Sequence, residues 1–178
     1  MADSLSLGLL ILRLVAGLTF ARHGAQKLFG WFGGDGFGAT THMMQAQGFK
    51  PASFWTGLGA LGEFGGSLSL ALGLLTPVGA AAAFAAMLMA VAKFHWKNGF
   101  SNAQGGFEYP LSLMAVSVAL GFTGPGSYSL DALLGIAYPA PLLFGVLALV
   151  ALLVDIIGIL ISRPMAATPP EPRPRAFS

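Results

Sequence analysis

The stretch "LSLGLLILRLVAGLTFARHGAQK", residues 5–27, decides the fold. Crossing the hydrocarbon core of a bilayer takes about 20 mostly apolar residues in a helix, and this run supplies them. No basic residue precedes it, so it lacks the charged start of a cleaved secretory leader. It ends on Arg22, His23 and Lys27, and a single arginine, Arg13, lies about two helical turns inside it.

The rest of the chain has the same character. Charged residues make up 9% of its 178 residues, against roughly 25% in an ordinary soluble domain. The apolar share is 55% and the mean hydropathy is +0.74, leaving too little polar side chain to coat a soluble globule. The net charge of +2 comes from nine basic and seven acidic groups, with no basic run resembling a nucleic-acid footprint. The absence of cysteine excludes disulfides, thiol catalysis and thiolate-held metal centres within this chain.

Four further runs, 54–75, 78–96, 109–122 and 140–161, read as candidate spans. "LLTPVG" makes a tight turn between the second and third, and Pro77 suits the first turn of the third helix, where its missing N–H costs little. The fourth run is short: its rise of about 21 Å falls below the roughly 30 Å hydrocarbon core. It therefore extends through "GGFE" or spans a thinned region. "GPGSYSLD" breaks the pattern with Gly and Pro, and the fifth run is the most uniformly apolar. Residues 1–163 thus read as a transmembrane helical bundle, and 164–178, rich in proline, as a disordered cytoplasmic tail.

Alternating these spans from an outside N-terminus puts Arg22, Lys27, Lys50, Lys93, Lys97, Arg163, Arg173 and Arg175 on one side. Only Arg13 is left over. Cytoplasmic loops carry the excess of Lys and Arg, so that side is expected to be cytoplasmic, in a cell inner membrane. Arg22 and Lys27 then have a plain role as anchors whose heads reach the headgroups.

Arg13 and Glu63 need more than anchoring. A charge at a helix centre costs about 2.5–3.5 kcal/mol on insertion scales, so the two are expected to partner one another. Arg13, Gly17, Phe20, Gly24 and Lys27 share a helix face, and glycines at 59, 62, 66 and 73 surround Glu63. An internal clamp without chemistry is the structural alternative.

His23, Lys27, Lys93 and His95, with Asn98, Asn102, Gln104, Glu108 and Tyr109, gather at the expected cytoplasmic depth. They suggest a basic, amide-rich mouth leading toward Glu63. His23 or His95 could exchange protons near neutral pH, with Glu63 or Glu108 as carboxylate partner. Donors beside Phe94, Trp96 and Phe107 would suit a quinone carbonyl, and Arg or Lys would suit a small anion. The alternative is a solvated interfacial loop within an aromatic belt. Three scattered histidines with no H-E-x-x-H spacing argue against a metal, and "GGDGFG" follows no strand and is no nucleotide loop. Asp155 is another acid within an apolar run, with no partner evident from sequence.

At these residues the chain resembles the DoxX family of small bacterial membrane proteins. The resemblance rests on "LRLVAGLTFARHGAQKLFG", "GLGALGEFGGSLSLALGLLTP", "NGFSNAQGGFEYPL" and "GPGSYSLD", in that order, over roughly residues 8–131. It implies a four-helix membrane bundle with redox-associated activity, linked in relatives to thiosulfate:quinone oxidoreduction or to complexes handling thiol and oxidative stress. The family pattern falls on Arg13, His23, Gly24, Lys27, Glu63, Gly106 and Glu108. The fifth run and the Pro-rich tail depart from it, and with no cysteine any thiol chemistry must come from substrate or partner.

The sequence expectation is therefore an all-α integral membrane protein: a DoxX-like four-helix bundle plus a fifth C-terminal span. Its ligand would be a quinone or small oxidised molecule, held by Arg13, His23, Lys27, Glu63, His95, Asn102, Glu108 and Tyr109. His23 and Glu63 are the best candidates for catalysis as part of an oxidoreductase. The rival readings are a non-catalytic anchor for soluble redox or stress partners and a carrier for a small anion or metabolite. A homo-oligomer is compatible with each.

Overall fold

The computed structural model describes residues 2–162. The proline-rich tail and Arg163, Arg173 and Arg175 lie outside the described residues. Among those described, the regular structure is entirely helical. The principal elements are α1 (Ala2–Phe29), α2 (Gly36–Ala46), α3 (Ala52–Leu72), α4 (Thr76–Ala90), α5 (Glu108–Thr123), α6 (Leu130–Leu133) and α7 (Ala140–Ile161). Past Ala90, α4 widens into a π turn over Val91–His95 and then tightens over Trp96–Asn98.

Among the described residues, three stretches are long and apolar enough to cross a membrane: Ser4–Phe29, Thr76–Asn98 and Ala140–Ile161. The chain is thus a helical membrane protein. Its surface agrees: Leu7, Ile11, Val15, Leu142, Val146, Leu149 and Leu160 are exposed, an apolar belt that water would penalise and lipid accepts. The helix α2 was not foreseen in the loop after the first span. "GFGATTHMMQA" mixes threonines and glycines with no long apolar stripe, so its helicity depends on packing of its buried Met44.

The predicted face of α1 is the packing face: Arg13, Gly17, Phe20 and Gly24 are all buried. Gly17 and Gly24 let α3 approach closely. A Cβ on Gly17 would sit 2.7 Å from the Ala71 backbone nitrogen, and one on Gly24 would sit 2.5 Å from that of Phe64. Close backbone approach at small residues is how helices gain contact in lipid, where no hydrophobic drive separates them from their solvent.

These contacts also fix an antiparallel register. As α1 runs from Gly17 to Gly24, its partner positions on α3 run back from Ala71 to Phe64. Extending it places Arg13 against Gly73 and Lys27 against Glu63.

The alanine-rich α4 lies at the centre, packed against α3, α5 and α7. Leu70, Ala80, Ala83, Leu120 and Phe144 form the core around it. The helices α3 and α7 flank α4 and meet where the Trp55 ring lies against Gly158.

Candidate functional site

The register separates the two intramembrane charges that the sequence reading had paired. Glu63 binds Lys27, and Arg13 donates to the Tyr128 carbonyl. Fourteen positions separate Arg13 from Lys27 on one helix, a rise of about 21 Å, so Arg13 cannot also reach Glu63.

At the Arg13 end the structure is a clamp. Arg13 is fully buried, and its guanidinium occupies the space beside Gly73. Asp131, on α6, accepts from the Leu75 N–H at 2.8 Å, the Thr76 N–H at 3.2 Å and the Thr76 hydroxyl at 3.2 Å. It thereby caps the start of α4, where Leu75 takes a left-handed conformation (φ 48°). Tyr138 also donates to Asp131. Burial first, and that hydrogen bond second, push the Tyr138 hydroxyl up to about 12. Ser6 accepts from the Ser127 N–H at 3.2 Å, tying α1 to the same loop. Sequence reasoning missed Asp131 and Tyr138. The available signal was an acid in the loop between the fourth and fifth runs, at the same end as Arg13.

At the Lys27 end lies a cavity of about 510 Å³. Its floor is the alanine face of α4, including Ala82, Ala85 and Ala86. Its walls come from α3 (Leu58, Gly59, Gly62) and α7 (Leu147, Val150, Val154), and Lys27, Glu63, His95, Thr40, Thr56 and Asp155 supply polar atoms. The two threonines are already spent on their own helices: Thr40 donates to the Gly36 carbonyl at 2.8 Å, and Thr56 to that of Ala52 at 2.9 Å. The working polar groups are therefore the Lys27–Glu63 pair, His95 and Asp155. The Glu63 side chain is 3% exposed, whereas that of Lys27 is 37% exposed, so the lysine carries its charge toward the edge.

The π turn brings Phe94 and His95 to the cavity. Such turns widen a helix locally and recur at functional sites. His95 Nδ1 lies 2.7 Å from the Gly105 carbonyl, an acceptor only, so Nδ1 carries the proton. In the neutral ring, Nε2 is then an acceptor.

The remaining sequence candidates serve the adjoining structure. Glu108 accepts from the Asn102 N–H at 3.0 Å, folding the loop back on itself, and Trp96 stacks on Phe107 with ring centres 5.3 Å apart. Tyr109 meets His23 edge to face at 5.5 Å, between α5 and α1. Thus Lys27, Glu63 and His95 come together at the cavity. His23, Asn102, Glu108 and Tyr109 are not among its lining residues, and Arg13 belongs to the opposite end. The expected mouth of amides and carboxylate is a compact loop: its polar groups satisfy the backbone of a sharp turn.

Long apolar helices, close small-residue packing and the burial of the charges that lie within them, Arg13, Glu63 and Asp155, define a membrane helical bundle. The chain belongs to the DoxX family, whose pattern matches residues 8–96. It is 31% identical over 129 residues to the inner membrane protein YqjF of Escherichia coli (strain K12), a match covering 71% of this chain and 92% of that protein. No solved structure matches.

Proposed function

We propose that the protein binds a bilayer-soluble quinone in the cavity beneath α3 and α7, as part of a redox-associated membrane system. The carrying observation is the combination of an aliphatic cavity of about 510 Å³ with the Lys27–Glu63 pair set into its wall. An apolar pocket with few convergent polar groups suits a ligand that is mostly hydrocarbon with an oxygen-bearing head. Lys27 would donate to a carbonyl of the head, while Glu63 holds the ammonium in place. Leu58, Val78 and Val150 line the cavity and are also exposed on the apolar surface. That arrangement favours access from the membrane over access from water.

The reading includes five spans, with α3 and α5 crossing alongside the three most apolar stretches. Arg22, Lys27, Lys50, Lys93 and Lys97 all lie toward the cavity end, supporting a cytoplasmic placement of that end. An inner-membrane location follows by analogy with the YqjF relative.

The test is to purify the protein in mild detergent and analyse its organic extract by mass spectrometry. Near-stoichiometric quinone is expected from the wild type. Ala85→Phe, which fills the floor, and Glu63→Gln, which breaks the pair, should both lose it. A well-folded wild type carrying no quinone, and taking up none when it is added, would end this reading.

A further inference from the structure

The helix α7 contains one ionisable residue, Asp155, in an otherwise apolar run. An acid at this depth is costly unless something uses it. Asp155 is 6% exposed and lines the cavity, on the wall contributed by α7. One of its carboxyl oxygens, Oδ2, has no hydrogen-bond partner. The cations at this end of the bundle are engaged elsewhere: Lys93 donates to the Ser162 hydroxyl at 2.7 Å and lies 5.1 Å above the Phe49 ring, and Lys27 pairs with Glu63. A buried carboxyl oxygen left unmatched at the wall of a cavity large enough for a ligand is a group awaiting a partner.

We propose that Asp155 is a second binding group of this cavity, taking the far oxygen of a head group whose near oxygen meets Lys27. The site would then hold two polar poles across an apolar middle, matching a 1,4-quinone or its quinol, which carries an oxygen at each end of the ring. A carboxyl group serves both forms, since it can donate to a carbonyl when protonated and accept from a hydroxyl when ionised. This assignment rests on the quinone reading above and adds its second anchor. It also gives α7, which lies beyond the DoxX-matched residues 8–96, a part in recognition.

The experiment compares full-length wild type, Asp155→Leu and Asp155→Asn in lipid nanodiscs, titrated with a short-chain 1,4-benzoquinone and its quinol. Thermal midpoints are recorded without ligand. Asp155→Leu should bind both probes at least tenfold more weakly while its ligand-free midpoint stays level or rises, because an unmatched buried carboxyl has been removed. Asp155→Asn, which keeps a donor and an acceptor, should stay within about threefold of wild type. Wild-type affinity in Asp155→Leu would overturn the Asp155 assignment and leave the quinone reading standing. A fall in ligand-free midpoint shared by both variants would overturn it too, making the residue a structural support. No binding of either probe by wild type would overturn both.

Discussion

The Arg13 guanidinium fills the volume that a side chain on Gly73 would need. Gly73 also takes a left-handed backbone (φ 64°) at the end of α3. Gly73→Ala therefore meets three penalties: backbone strain of about 1–3 kcal/mol, displacement of a buried cation, and a contact with the Ser129 Cβ at 2.6 Å. We expect a marked fall in thermal midpoint. In an Arg13→Ala background the same substitution should keep the strain and the Ser129 contact but lose the clash with the cation, so a double-mutant cycle should give clear non-additivity. Simple additivity would separate the two residues energetically.

The Lys27–Glu63 pair should behave asymmetrically. Lys27→Met strands a nearly buried carboxylate, whereas Lys27→Met combined with Glu63→Leu removes both charges. Breaking a fully buried pair from one side costs about 3–5 kcal/mol; the partial exposure of Lys27 lowers the expected cost to about 1–3 kcal/mol. The double variant should recover most of that loss in a detergent unfolding titration. A double variant less stable than Lys27→Met would contradict this account.

Alkaline pH offers a probe of the opposite end. Tyr138 titrates near 12 in the folded chain, above the usual value of about 10 for tyrosine. A raised folded-state value means its stabilisation is complete below about pH 10 and is lost as pH rises toward 12. Wild type should lose stability over that window more steeply than Tyr138→Phe, read as the difference between their thermal midpoints at pH 9 and pH 11.5. Parallel curves would show that the Tyr138–Asp131 bond is not the alkaline-sensitive element.

Topology can be read with single thiols, because the chain has no cysteine of its own. Lys97→Cys should resist a membrane-impermeant maleimide in intact cells and react after permeabilisation. Ala132→Cys, at the Arg13 end, should react from outside. The reverse pattern would invert the proposed orientation.

Much of the fold was legible because lipid imposes simple demands. Long apolar runs mark the helices, and the glycine spacing on α1 marks the face that meets α3. The pairing of charges was not legible. Arg13 and Glu63 were matched by their type and rough depth, but two close approaches, at Gly17 and Gly24, set a register that sends them to opposite ends. Periodicity reveals which face is buried, whereas contact with a second helix decides what lies opposite. The loop residues Asn102 and Glu108 misled for a related reason. A polar cluster that folds a turn and one that lines a site have the same composition, and only backbone geometry separates them. Asp155 was visible as an anomaly, but the cavity that gives it meaning is formed by α1, α2, α3, α4 and α7 together.

The alanine run of α4 has a consequence for how this protein could diversify. Ala80 and Ala83 are fully buried in the core, while Ala82, Ala85 and Ala86 face the cavity. One small residue type thus does two jobs on the same helix, and Ala81 shares in both. Because the void exists where side chains stop short, its width is set by methyl groups, one position at a time. Exchanging Ala85 for valine would narrow the chamber while leaving the charged groups in place. Ligand calibre and ligand chemistry are therefore separately adjustable, and descendants of such a chain could change the guest they accept while keeping the frame that holds it.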